Sequence, residues 1–304
     1  MWNIEVGIMR KQKLMGKKTF SPFYIILLII LALYVISLFV PIFWALMTSL
    51  KTYDEVLYEP LAFPKEWAFS NYVEAFEHLY VPVMNAQGNR NVYLLEMFLY
   101  GLLYAGGCAF CATSMTCVAS YLTARFQYKF SKIVYAVIIV TMILPIVGAL
   151  PSEIELSHLI GTYDSMIGLW IQKATFLGMY FLVFHAIFKS VPKDYEEAAS
   201  LDGAGNLMIF LRIMLPLVSK TFLVVFLLKF IEFWNDYQVP MLFLPSSPTV
   251  AYGMFYFNFA PRSSTSGMHM KMAGGFLLVI PILILFLIFR NKLIGNIAIG
   301  GLKG

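Results

Sequence analysis

Residues 196–217 read EEAASLDGAGNLMIFLRIMLPL. Two adjacent glutamates, an aspartate and a cluster of turn residues here interrupt a chain that is 60% hydrophobic and 13% charged. With the preceding SVPKDY, the stretch spells a helix, a tight turn and a second helix. Pro192 suits the first turn of a helix, where its missing N–H would have no partner, and Asp194, Glu196 and Glu197 bring negative charge to the positive end of the helix dipole. Ala198, Ala199 and Leu201 continue the helix with good propensity. Asp202 and Gly203 end it, Gly203 being free to adopt a positive φ. Asn206 is the expected cap of the next helix, which runs apolar through Ile213 and Leu215 to Pro216. A short amphipathic helix held between two apolar segments has the form of a knob offered to a partner's groove. An ordinary solvated loop with some interfacial helix fits the same residues.

The sequence on either side decides where this loop sits. A mean hydropathy of +0.76 leaves too little polar surface for a water-soluble domain of this size, so the apolar excess must face lipid. A bilayer core needs about 20 apolar residues per helix. Runs at 22–47, 97–125, 133–152 and 272–289 meet that length, 97–125 carrying no charge before Arg125. The run 174–188 reaches it by starting near Met166 and tolerating Lys173. The run 215–244 is long enough but holds Lys229, Glu232 and Asp236. Six transmembrane helices in an all-α membrane protein are expected. The basic N-terminus does not read as a secretory signal, because the following apolar run is too long and no small-residue cleavage site follows it.

Basic residues set the orientation. Most of the 22 Lys and Arg fall in the N-terminal tail (Arg10 to Lys18), the second loop (Arg125, Lys129, Lys132), the fourth loop (Lys189, Lys193, Arg212, Lys220) and the C-terminal tail (Arg290, Lys292, Lys303). The alternate loops carry acids, among them Glu55, Glu59, Glu74, Glu77, Glu153 and Asp164. Both termini are therefore expected in the cytoplasm. The chain reads as one membrane domain, 1–304, with a cytoplasmic N-tail 1–21, an outer loop at about 50–93, the cytoplasmic loop at about 190–216, an outer loop at about 245–270 and a cytoplasmic tail 290–304. The net charge of +5 needs only anionic lipid, and no nucleic acid, to explain it.

Inside these segments the sequence offers packing rather than catalysis. Gly101, Ala105, Ala109, Ala112, Thr116 and Ser120 form a small-residue row along the second span, the pattern that lets helices approach closely in lipid. The outer loop shows an amphipathic helix from Ser70, with Tyr72, Val73, Phe76 and Leu79 on its apolar face and Ser70 or Asn71 as the cap. Cys108, Cys111 and Cys117 lack further ligands nearby and read as packing residues, so no metal is expected. The histidines have no ligand spacing, His185 reading as hydrogen-bonded packing, and no H-E-x-x-H or G-x-S-x-G is present. GKKT at 16–19 lacks the upstream glycine of a phosphate loop, since Lys11 stands there. No catalytic residue and no nucleotide site are expected in the chain.

The loop at 196–217 resembles, position for position, the cytoplasmic motif of type I ATP-binding-cassette importer permeases: E-A-A, three residues, G, nine residues, I, one residue, L-P. Here it is Glu197, Ala198 and Ala199, then Gly203, then Ile213, then Leu215 and Pro216. Other stretches resemble the carbohydrate branch of that family, the maltose-permease G type. They are FIEFWNDYQVPMLFL at 230–244, FPKEWAFSNYVEAF at 63–76 and the terminal IGGLKG at 299–304. Lys229 departs from that branch's pattern.

The resemblance implies the type I importer permease fold in the bacterial plasma membrane, with the loop as a coupling helix docked in a separate ATPase. Glu196, Glu197, Ala198, Ala199, Asp202, Gly203, Ile213, Leu215 and Pro216 would form that joint, and Gly301, Lys303 and Gly304 would reach the same interface. It implies as partners a second, homologous permease in a heterodimer, an ATPase dimer holding ATP and Mg²⁺, and an extracellular or lipid-anchored solute-binding protein. The substrate would be a carbohydrate moved by alternating access. The 245–270 loop matches one that probes the binding protein, and a passive linker reads equally well. Glu232, Trp234, Asn235, Asp236 and Tyr237 are candidates for the sugar path, since intramembrane carboxylates are costly and aromatic faces suit sugar rings. Alternatively, Lys229 and Glu232 simply pair on one helix face. Rival readings are an importer of the same architecture for a polyamine, oxyanion or amino acid, a membrane-embedded enzyme, and a channel or secondary transporter.

Overall fold

The computed structural model describes residues 22–85, 88–126, 128–144, 148–259 and 267–297. The tail 1–21, the residues Gly301, Lys303 and Gly304, and part of the 245–270 loop (260–266) lie outside them. In chain order the elements are α1 (Pro22–Ser49), α2 (Tyr53–Tyr58), α3 (Ser70–His78), the strands β1 (Tyr80–Asn85) and β2 (Gly88–Tyr93), α4 (Leu94–Arg125), α5 (Lys129–Ile143), α6 (Leu150–Leu159), α7 (Met166–Gln172) and α8 (Met179–Ser190). There follow α9 (Asp194–Leu201), α10 (Asn206–Ile209), α11 (Leu215–Trp234), α12 (Gln238–Phe243), α13 (Val250–Phe259) and α14 (Met268–Ile297). A π turn, Phe210–Met214, joins α10 to α11.

Among the described residues, four helical stretches are long and apolar enough to cross a membrane: Pro22–Ser49, Leu94–Arg125, Asn206–Asn235 and Met268–Phe289. They overlap the first, second, fifth and sixth expected spans, the fifth ending at Asn235 rather than running on to 244, where a separate helix, α12, follows the break. The third and fourth are each divided. After α5, Leu144 turns extended (φ −83°, ψ 116°), as the residue before Pro145 must. Gly148 adopts a φ of +83°, and Pro151 sits in the first turn of α6. Between α7 and α8, residues 173–178 leave the helix. Irregular backbone at membrane depth persists only where protein covers its polar groups. Here the Thr116 hydroxyl of α4 lies 3.2 Å from the Thr175 carbonyl.

The helix α4 is the spine, packing most extensively on α11 and α8. Its small-residue row behaves as expected: Gly101, Ala105, Ala109, Ala112, Thr116 and Ser120 are all buried. Gly107 belongs to a closer contact. A Cβ there would overlap the Trp170 indole, whose Nε1–H donates to the Leu103 carbonyl at 3.0 Å. Three buried clusters follow α4 along its length. Leu94 and Met97 meet β1, β2 and α13; Tyr104 to Ala112 meet Leu169, Phe230 and Trp234; and Cys117, Tyr121 and Ala124 meet Phe184, Phe188, Ile209 and Met214. Polar contacts fix α8 to the same helix: Ser120 Oγ donates to the Phe181 carbonyl at 3.0 Å, and Thr123 Oγ1 lies 3.2 Å from His185 Nδ1.

The segment 50–93 corrects two expectations. An all-helical chain was expected, yet β1 and β2 form an antiparallel hairpin from Tyr80↔Tyr93 to Asn85↔Gly88. Its β-branched Val81, Val83 and Val92 are buried in the first cluster, which is what makes the pairing worthwhile. Helix α3 forms where expected, but neither Ser70 nor Asn71 caps it; the cap position is Phe69 and it carries no side-chain bond. Asn71 is buried instead and donates to the carbonyls of Ser49 and Lys51 at 2.9 and 2.8 Å. The buried face is therefore Asn71, Ala75 and Leu79, while Val73 and Phe76 point outward. In α2, Thr52 and Glu55 form a reciprocal capping box. Desolvation pushes the Glu55 carboxyl up, but backbone N–H bonds from Thr52, Lys65 and Glu66 outweigh it and hold the group below its ordinary value of 4.5.

Candidate functional site

The loop between α8 and α11 is built by local rules. Val191 is extended, α9 begins at Asp194, and Asp194, Glu196 and Glu197 fill its first turn. Its end is a complete left-handed cap. Gly203 has a φ of +82°, its N–H bonds the Ser200 carbonyl at 3.0 Å, and the Ala204 N–H bonds the Ala199 carbonyl at 2.9 Å. Asn206 does not cap α10; Gly205 occupies that position and Asn206 is the first helical residue, without a side-chain bond. The π turn follows because Pro216 has no N–H for the carbonyl four residues back and its ring crowds that turn.

The motif residues divide by direction. Glu197, Ala198, Asp202, Gly203 and Pro216 are exposed. Ala199, Ile213 and Leu215 pack against the third cluster. Around the outward set stand Leu201 and Leu207, 89% and 72% exposed. This eight-residue helix and the turn after it thus show water Glu197, Leu201, Asp202 and Leu207, while Ala199 and Ala204 anchor them to the third cluster. Glu196 points the other way. Its Oε1 lies 3.3 Å from Arg125 Nε at the end of α4, and Arg125 Nη2 donates to the Val191 carbonyl at 2.8 Å. Sequence reasoning used Arg125 only as an orientation charge; its partner was invisible because the two are 71 residues apart in sequence, the difference between positions 196 and 125.

The five sugar-path candidates lie at the end of α11 and do not share one open surface. Trp234 is buried, stacked near Phe98 and Phe230, and its Nε1–H donates to the Leu278 carbonyl at 3.2 Å. Asp236 builds the corner into α12. Its Oδ1 accepts from the N–H groups of Gln238 and Val239, and its Oδ2 accepts from the Tyr104 hydroxyl at 2.9 Å. Glu232, Asn235 and Tyr237 stay exposed. Tyr237 stacks on Phe255 with ring centroids 4.3 Å apart, and Asn235 donates to the Ile231 carbonyl. Glu232 pairs with Lys229 at 3.0 Å, whose ammonium also lies 5.4 Å from the Tyr180 ring. The pairing reading of Lys229 and Glu232 thus holds in this conformation. Among the described residues, no group of three His, Cys, Asp or Glu side chains is placed to hold a metal ion.

An apolar spine helix with shorter helices braced against it and an outward-facing capped helix together describe a multi-helix membrane domain. Residues 116–295 match the family described as the binding-protein-dependent transport system inner membrane component, and the chain belongs to it. It is 27% identical over 275 residues to the melibiose/raffinose/stachyose import permease protein MelC of Bacillus subtilis, covering 88% of this chain and 92% of that one. To the diacetylchitobiose uptake system permease protein NgcG of Streptomyces coelicolor it is 25% identical over 280 residues, covering 89% and 86%. To the inner membrane ABC transporter permease protein YcjP of Escherichia coli it is 29% identical over 285 residues, covering 90% and 94%. The fold is shared with a bacterial ABC transporter involved in the import of the acidic polysaccharide alginate, with a TM-score of 0.72 at 18% identity over 91% of this chain and 98% of that one. The chain is accordingly a multi-pass inner-membrane transport component and not an enzyme. Its family works with a separate ATPase and a solute-binding protein.

Proposed function

We propose that this chain is the permease of an ATP-driven importer of sugars or oligosaccharides, and that the loop 190–216 is its docking element for the ATPase. The observation that carries the docking role is the capped helix α9, which holds Glu197 and Leu201 outward on a turn fixed by Gly203. Similar permeases named for the import of melibiose, raffinose and stachyose in one case and for the uptake of diacetylchitobiose in another support the sugar assignment.

In this reading there are six spans, with α5 plus α6 and α7 plus α8 serving as the divided third and fourth, and both termini lie in the cytoplasm. The single membrane domain pairs with a second, homologous permease. An ATPase dimer holding ATP and Mg²⁺ sits beneath it, and a binding protein delivers the sugar from outside, where the 245–270 loop lies. Closure of the ATPase dimer pushes α9, and rigid-body rotation of the spans switches access. The exposed Glu232, Asn235 and Tyr237 remain available to a passing sugar, with Trp234 and Asp236 shaping the corner that presents them. Gly301, Lys303 and Gly304 reach toward the ATPase.

The test is ATP hydrolysis by the reconstituted complex with its binding protein, challenged with saccharides, a polyamine, sulfate and amino acids. Stimulation by a saccharide alone is expected. Stimulation by one of the other solutes, with none by any saccharide, would remove the sugar assignment while leaving the docking role standing.

A further inference from the structure

If the loop 190–216 is the docking element, the force it receives must reach the spans. Its covalent connections are poor levers. On one side Val191 and Pro192 are extended or turning, and on the other the chain leaves α9 through Gly203, Ala204 and Gly205 without helix. By those connections alone a short helix would swing without moving its neighbours, and beyond them it is held to the third cluster by Val191, Ala199 and Ala204.

Side chains from one turn of α4 close both joints. Arg125 is 5% exposed and reaches two parts of the loop at once: its Nη2 donates to the Val191 carbonyl at the entry, and its Nε stands 3.3 Å from Glu196 Oε1 on α9 itself. The Nε and Oε1 atoms meet off the N–H axis, so this is an ionic contact rather than a directed hydrogen bond, and the Tyr121 hydroxyl also faces the Glu196 carboxylate. One turn earlier, the Tyr121 ring lies 4.9 Å from Phe210 at the loop exit and 5.4 Å from Phe188 at the end of α8. Entry, docking helix and exit are thus each held by Arg125 or Tyr121. The helix that carries them runs through all three buried clusters.

The geometry points to Arg125, supported by Tyr121, as a clamp that fastens the docking loop to α4, so that loop and spine move as one body when the ATPase moves. Arg125 is a positioning residue, acting through Glu196 and Val191 rather than touching the ATPase. A buried charge whose partner is removed is left uncompensated, so the ion pair resists separation during the stroke. The planar guanidinium matters because it serves two acceptors in different directions, which an ammonium does less well.

This inference rests on the docking role proposed above, and the test keeps the two apart. The complete importer, with both permeases, ATPase and binding protein, is reconstituted with wild type, Arg125→Met, Arg125→Lys, Arg125→Glu and the exchanged pair Arg125→Glu with Glu196→Arg. Three quantities are read: ATPase retained on the purified permease, basal hydrolysis, and the ratio of stimulated to basal hydrolysis. Arg125→Met should retain its ATPase and basal rate while the stimulation ratio falls about tenfold, the size of an ordinary coupling between sites. Arg125→Lys should fall between that variant and wild type. Should Arg125→Met fail to assemble, the exchanged pair decides, because it should recover part of the stimulation that Arg125→Glu alone loses, the Val191 carbonyl remaining without its donor. A wild-type ratio in assembled Arg125→Met, or no recovery in the exchanged pair, overturns the clamp. Failure of the docking role itself shows elsewhere, as a wild-type permease that binds ATPase without using this loop.

Discussion

Gly203 carries the turn on which the proposed docking surface depends. Its φ of +82° lies in the left-handed region, and nothing stands within 4 Å of where a Cβ would be. Space is therefore not the constraint; backbone conformation is. A β-branched residue forced into that region costs about 1–2 kcal/mol, enough to fray the last turn of α9 and with it the bonds from Gly203 and Ala204. Gly203→Val should insert into the membrane at wild-type levels but lose most of its bound ATPase on purification. Equal recovery of ATPase with the valine variant would show that the turn need not be rigid. The glycine's role was legible in the sequence because Asp-Gly after a run of helix formers has few other readings. The direction of each motif residue was not, since Ala198 and Ala199 differ only in which side of one short helix they occupy.

Elements were legible in proportion to their length and regularity. The four long helices follow from uninterrupted apolar runs, and the small-residue row of α4 identified its buried face. The breaks in the expected third and fourth spans were written in Pro145, Gly148, Pro151 and Gly178, but averaging hydropathy over a span's length passes through such breaks. The hairpin of β1 and β2 escaped because each strand has six residues and Pro82 interrupts the first. Long-range contacts such as Gly107 with Trp170 leave no local trace at all. That contact makes a prediction about α4 against α7. Gly107→Val places a branched side chain where the indole lies, and overpacking of this kind costs about 1–3 kcal/mol. The variant should melt several degrees lower in detergent. Unchanged melting would mean that α7 is free to move away from α4.

At the scale of the molecule, the membrane topology and the joint with the ATPase stand or fall together. A cysteine at Lys193, exposed at the start of α9, should react only with reagent on the cytoplasmic side. One at Glu77, exposed on α3, should react only from outside. Labelling of position 193 from outside would put the docking loop on the wrong face and end the six-span arrangement. The most direct measurement concerns Glu197, exposed on α9 and clear of the core. Reversing its charge at a protein interface sets like against like or leaves a partner unpaired, at a cost of several kcal/mol, without touching lipid or packing. Glu197→Lys should remain in the membrane with its sister permease, lose its ATPase on purification, and show no sugar-stimulated hydrolysis. Full ATPase retention with normal uptake by Glu197→Lys would mean that this glutamate is only a solvated surface charge and that the loop is not the joint.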